Sequence, residues 1–84
     1  MKSFFYPNPV SDDAFLEYNL SDDATISIQL FDLSGVLLKT FVINENELAG
    51  HHERAIDLSD LASGNYFAEI TANENRSVVK IVKQ

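Results

Sequence analysis

The 84-residue chain has no cysteine and no tryptophan, and only three glycines and two prolines. The lack of cysteine excludes disulfides and thiolate metal sites. Lacking tryptophan as well, the chain cannot build the antibody-type core of a disulfide against a buried indole. Sparse glycine and proline, with 45% hydrophobic residues, mark a globular rather than a disordered chain. No apolar stretch approaches the roughly 18 residues that a membrane-spanning helix needs. The opening Met1-Lys2-Ser3-Phe4-Phe5-Tyr6 is too short for a signal peptide, because Pro7-Asn8-Pro9 ends its apolar run. Positive charge is scarce too: six Lys and Arg face 13 Asp and Glu, for a formal net charge of −7. Such a chain repels phosphate backbones and anionic lipid surfaces, so neither nucleic acid nor an acidic membrane is an expected partner.

What is present is alternation. Thr25 to Phe31 places Ile26, Ile28 and Leu30 on one face and Thr25, Ser27 and Gln29 on the other, the period of a half-buried strand. Ala14 to Leu20, His52 to Leu58, Tyr66 to Ala72 and Ser77 to Lys83 behave similarly. Val36 to Ile43 is rich in β-branched and aromatic residues, but adjacent Leu37 and Leu38 blur its faces. Phe4 and Phe5 form a short edge strand that the two prolines terminate. Ser21-Asp22-Asp23, Asp32-Leu33-Ser34-Gly35, Ser63-Gly64-Asn65 and Asn73-Glu74-Asn75-Arg76 are turns, and Asn44 to Gly50 is a polar loop. Leu58-Ser59-Asp60-Leu61 is the one candidate helical turn, capped by Ser59, and Asp57 and Asp60 flank the turn and are also read as capping it. About seven short strands at this spacing predict an all-β, immunoglobulin-like sandwich of antiparallel strands in a single domain, residues 1–84. A chain this short buries roughly 60–65% of its unfolded surface, which leaves little room for a deep cleft.

Chemistry-bearing residues are thinly spread. His51 and His52 are adjacent on a strand and point to opposite faces, so they do not converge on a metal. Asp12-Asp13 and Asp22-Asp23 are paired turn acids without the spacing of a calcium loop. The serines fall on turns and strand faces, none in a nucleophile elbow, and no glycine-rich phosphate loop is present. No catalytic residue, cofactor, metal or small-molecule substrate is expected. Phe15, Phe31, Phe41 and Phe67 would make a sugar-stacking platform only if they shared one exposed face.

Five segments also follow a known order. They are Tyr6-Pro7-Asn8-Pro9; the strand ending in Asp32-Leu33-Ser34-Gly35; Ala49-Gly50-His51-His52; Ile56-Asp57-Leu58-Ser59-Asp60-Leu61-Ala62-Ser63-Gly64-Asn65-Tyr66-Phe67; and Lys80-Ile81-Val82-Lys83. Together they cover nearly the whole chain. In this order they resemble the type A C-terminal sorting domain of the type IX secretion (Por) system of Bacteroidota. Some members of that family end in two basic residues with three positions between them; here Lys80 and Lys83 have two between them, while Arg76 and Lys80 have the wider spacing.

The resemblance implies a sorting signal that takes an attached cargo across the outer membrane. It implies that residues 1–84 are the tail of a larger exported protein, with Met1 not its natural start. It further implies passage through the periplasm, then release or display at the cell surface. The implied partners are the translocon or a shuttle, and a surface sortase that removes the domain. Lys80, Ile81, Val82 and Lys83 on the last strand, with Gly64 and Tyr66, are the candidate recognition residues. The plainer reading makes the lysines guards against edge aggregation, Gly64 a turn residue and Tyr66 a core ring. An open sheet edge would also leave room for a dimer. Two rival functions share the sandwich: an adhesion module for sugar or a surface protein, and a structural spacer.

Overall fold

A computed structural model describes all 84 residues. The chain forms seven strands: β1 (Ser3–Tyr6), β2 (Asp13–Leu20), β3 (Ala24–Asp32), β4 (Leu37–Glu47), β5 (Gly50–Asp57), β6 (Gly64–Ala72) and β7 (Asn75–Lys83). They make two antiparallel sheets, of order β1-β2-β5 and β4-β3-β6-β7. This is an immunoglobulin-like sandwich in which the fourth strand joins the edge of the second sheet instead of the first. Apolar residues at alternate positions carry the core, because period-two alternation puts them all on the inner face. Leu16, Tyr18, Ile26, Ile28, Leu30, Ile70 and Ile81 are fully buried between the sheets.

β4 explains its own blurred pattern. It pairs with β3 through three register shifts, at Ile26/Ile28, Ile28/Gln29 and Leu30/Phe31. An extra residue at a bulge moves the side chains that follow to the opposite face. Val42 therefore points inward while Leu37, Leu38 and Ile43 stay exposed.

Two expectations are corrected. Asn44 to Glu47 is not loop but the end of β4. Its polar residues bond β3 across the sheet: Asn44 N donates to Ser27 Oγ at 3.0 Å, and Thr25 Oγ1 donates to Asn46 Oδ1 at 3.0 Å. Here polarity marks the wet face of a strand, not a break in it. Leu58 to Leu61 is not a helical turn either. Leu61 N donates to Leu58 O at 3.0 Å, closing one β-turn. Asp57, not Ser59, supplies the cap, accepting from Ser59 N at 2.9 Å. So few residues cannot offset the cost of helix nucleation.

Candidate functional site

Strand direction sorts the molecule into two ends. At one lie the segment after β1, the β3–β4 hairpin, the β5–β6 crossover and the last residues of β7; this is the C-terminal pole. At the far pole lie the β2–β3, β4–β5 and β6–β7 turns.

The C-terminal pole is built around the edge of β7. Pro7 and Pro9 have no N–H, so this stretch cannot pair as an ordinary strand. Asn8 substitutes its side chain. A carboxamide carries the same donor and acceptor as a peptide group. Asn8 Nδ2 donates to Lys80 O at 3.0 Å, and Asn8 Oδ1 accepts from Val82 N at 2.9 Å. Val10, fully buried, continues the seam: its N donates to Val82 O and its O accepts from Gln84 N, both at 2.8 Å. The peptide bonds before Pro7 and Pro9 are both cis. Residues 80–84 of the terminal edge are thus clasped by the segment between β1 and β2. Over Arg76–Val79 no strand pairs with this edge.

The crossover after β5 closes the same end. Leu58 is fully buried, and its N donates to Asp12 O at 2.7 Å. Leu61 packs on the core. The Tyr66 ring is buried, and its hydroxyl donates to Ala62 O at 2.5 Å. The Lys83 ammonium, only 7% exposed as a residue, donates to Leu61 O at 3.1 Å and lies 3.6 Å from Asp12. At the neighbouring hairpin, Asp32 Oδ1 accepts from Ser34 N at 2.9 Å, Ser34 Oγ at 2.7 Å and Val36 N at 3.0 Å. Those bonds, Ser34 first, hold the Asp32 carboxyl below the usual carboxylate range. Gly35 completes the turn at φ 90°, a conformation that disfavours a side chain. Asp57 is likewise held low by Ser59, and Asp60 by the Lys39 ammonium at 2.7 Å.

The motif residues Tyr6, Pro7, Asn8, Pro9, Gly35, Asp57, Leu58 and Leu61 therefore gather at the C-terminal pole, with the recognition candidates Gly64 and Tyr66. Gly50 is the exception. It begins β5 at the far pole with φ 124°, with nothing within 4 Å of a Cβ placed on it.

Of the recognition candidates, the structure places Lys80 outward and exposed, with Val82 on the same outer face. Ile81, Lys83 and Tyr66 point inward. Gly64 opens β6 opposite Lys83. The four phenylalanines do not share a face. Phe15 lies on the outer face of the first sheet, Phe31 and Phe67 on that of the second, and Phe41 packs on the core.

The chain shows clear kinship at this point. The sequence model for the secretion system C-terminal sorting domain matches residues 4–84. The chain belongs to that family. No curated protein matches it. Domains of the family are C-terminal sorting signals for type IX secretion, and this domain is such a signal. A protein carrying it is secreted or displayed on the cell surface by export through the outer membrane, and it interacts with the type IX secretion machinery. The family is non-catalytic in general.

Two features of this sorting domain escaped sequence reasoning. One is the Asn8 clasp. Its signal was present: an asparagine between two prolines is the only residue of Pro7-Asn8-Pro9 with a donor to offer. The other is a polar seam joining the sheets beside β4 and β5. Tyr18 Oη donates to Glu47 Oε1 at 2.5 Å, and Arg54 forms an ion pair with Glu47. Burial and the Glu47 bond push Tyr18 up to about 12. Burial works to raise Glu47, but the Tyr18 and Arg54 bonds outweigh it and hold Glu47 low. His52 stacks on Tyr18 at 5.5 Å, and its Nε2 donates to Leu48 O at 2.7 Å. Tyr18 is far in sequence from Glu47, His52 and Arg54, and no local pattern announces their meeting.

Proposed function

We propose that residues 1–84 form the single folded tail of a larger cargo and that the secretion machinery reads β7 from its outer side. The observation that carries this reading is the half-closed edge. Asn8 and Val10 occupy residues 80–84, whereas Arg76–Val79 keep outward backbone groups without a strand partner. An unpaired edge is a template for strand addition, with side chains on alternate positions supplying specificity. Val78 is 48% exposed, and Lys80 stands beside it on the outer face, with Val82 beyond. In this reading Lys80 and Val82 touch the receptor. Ile81, Lys83, Gly64 and Tyr66 hold the strand in place from within.

The domain itself performs no catalysis in this reading. It passes through the periplasm folded, meets the translocon or a shuttle, and is removed by a surface sortase. The test is a reporter fused ahead of residues 1–84 in a strain with the pathway. Export is expected; retention of the reporter in the periplasm would sink the sorting reading. Val78→Pro sharpens it. This substitution removes an outward N–H and spares the bonds to β6. Loss of export with the fold intact supports edge recognition, and undiminished export overturns it.

A further inference from the structure

The outer face of the first sheet carries an arrangement that neither the core nor the β7 edge uses. Tyr6 and Phe15 are direct cross-strand partners, as are Phe4 and Glu17. All three rings are exposed: Phe4 by 59%, Phe15 by 41% and Tyr6 by 37%. The Tyr6 and Phe15 centroids are 5.7 Å apart with planes tilted by 33°. The Tyr6 hydroxyl donates to Glu53 on β5, two strands away, so its ring lies across the sheet rather than standing off it.

Beside the rings, like charges face each other. Glu17 is the direct partner of Glu53, and Asp13 of Asp57. Opposed like charges on one sheet face are destabilising. His51 Nε2 lies 2.9 Å from Glu17, and at one end of the face Lys39 Nζ donates to Asp57 O at 3.3 Å. No Lys or Arg forms an ion pair with Asp13, Glu17 or Glu53. Arg54, on the same strand as Glu53, turns inward to Glu47. Uncompensated carboxylates beside exposed ring faces suit a cation. A guanidinium can stack on a ring and pair with a carboxylate in one pose.

We propose that this face of Phe4, Tyr6, Phe15, Glu17 and Glu53 docks an arginine-bearing segment of a protein partner. Charge complementarity favours a basic polypeptide over a glycan: the carboxylates repel anionic polysaccharides, and the tilted rings offer no flat sugar platform. The proposal is independent of edge recognition on β7, which lies in the other sheet, and its readout is binding rather than export.

The probe is a short peptide alternating Arg and Gly, with a citrulline counterpart as the neutral control. Amide chemical shifts of the 84-residue domain report where it binds. The largest shifts are expected around Phe15, Glu17, Glu53 and Ala55, with the citrulline peptide silent. Phe4→Ser, which keeps every charge, should weaken binding about threefold. Glu17→Gln with Glu53→Gln should weaken it about tenfold. Phe4 is exposed enough for its variant to fold, as the dispersion of the amide spectrum would verify. Three results would overturn the proposal. One is an equal spread of shifts over Asp22, Asp23, Glu45 and Glu74, acids that lack the rings. A second is unchanged affinity in Phe4→Ser. The third is binding of a neutral glucan hexasaccharide to this face while the arginine peptide leaves it unmoved.

Discussion

The two poles of the sandwich are tied in different ways. At the C-terminal pole, side chains reach backbone groups of distant segments: Asn8 to β7, Lys83 to the crossover and Lys39 to Asp57 O, while Tyr66 bonds Ala62 O four residues before it. Segments from both ends of the chain meet there. At the far pole the ties join exposed turns, and Asn73 Nδ2 donates to Asp23 O at 3.4 Å. Asp23 Oδ1 accepts from Ala49 N at 2.8 Å, and Asn73 Oδ1 accepts from Thr25 N at 2.9 Å. The lesson is that a small sandwich need not be uniformly secured. In this sorting domain most of the motif residues read from the sequence lie at the pole where the terminal strand is held. They are chiefly the parts of a clasp and a plug.

The comparison can be broken most severely at Leu58. Leu58→Ala opens a cavity beneath the crossover and should cost about 2–5 kcal/mol, read as a lower denaturant midpoint. Lys83→Met comes next. It keeps the packing of the stem but leaves Leu61 O without its donor, for a loss of about 1–3 kcal/mol. Asn8→Ala removes two bonds from the β7 edge and should cost about 1–2 kcal/mol. It should also speed hydrogen exchange at Val82 while leaving Ile28 protected. At the far pole, Asp23→Ala should cost under about 1 kcal/mol, since only an exposed turn is released. Equal losses at Asn8 and Asp23 would erase the contrast.

Acid provides a further handle. Asp32, Asp57, Asp60 and Glu47 all hold their protons less tightly in the folded state than ordinary carboxyls do. Their contribution is complete above the usual carboxylate range and is lost as pH falls through the depressed values. The thermal midpoint should therefore change little down to about pH 5 and fall steeply between about pH 4 and pH 2. Asp57→Asn should flatten that fall.

Much of the fold was legible because period-two alternation is a local property. Ile26, Ile28 and Leu30 declare a strand and its inner face without help. Asp32 and Gly35 declare their turn, since an aspartate bonding the backbone ahead of it and a glycine at positive φ act over a few residues. β4 was legible only as a strand, because bulges reset its phase. Its polar end, Asn44 to Glu47, looked like loop because composition cannot separate a wet strand face from a turn. At the candidate site, the ordered motifs marked residues but not their duties. Tyr6 and Asn8 are neighbours in sequence, yet one lies across the first sheet and the other clasps the second.

By itself, the sequence determined the strand count, the buried faces, most turns and, through its ordered motifs, the family. Only the tertiary structure decided that Asn8 covers the edge at residues 80–84, that Lys83 is buried while Lys80 is free, and that Glu17 faces Glu53. The reason is physical. Alternation and turn chemistry act between near neighbours. Edge coverage, burial of a charge and cross-strand opposition depend on which distant strands share a sheet and in what register, and that is settled only when the two sheets close on a common core.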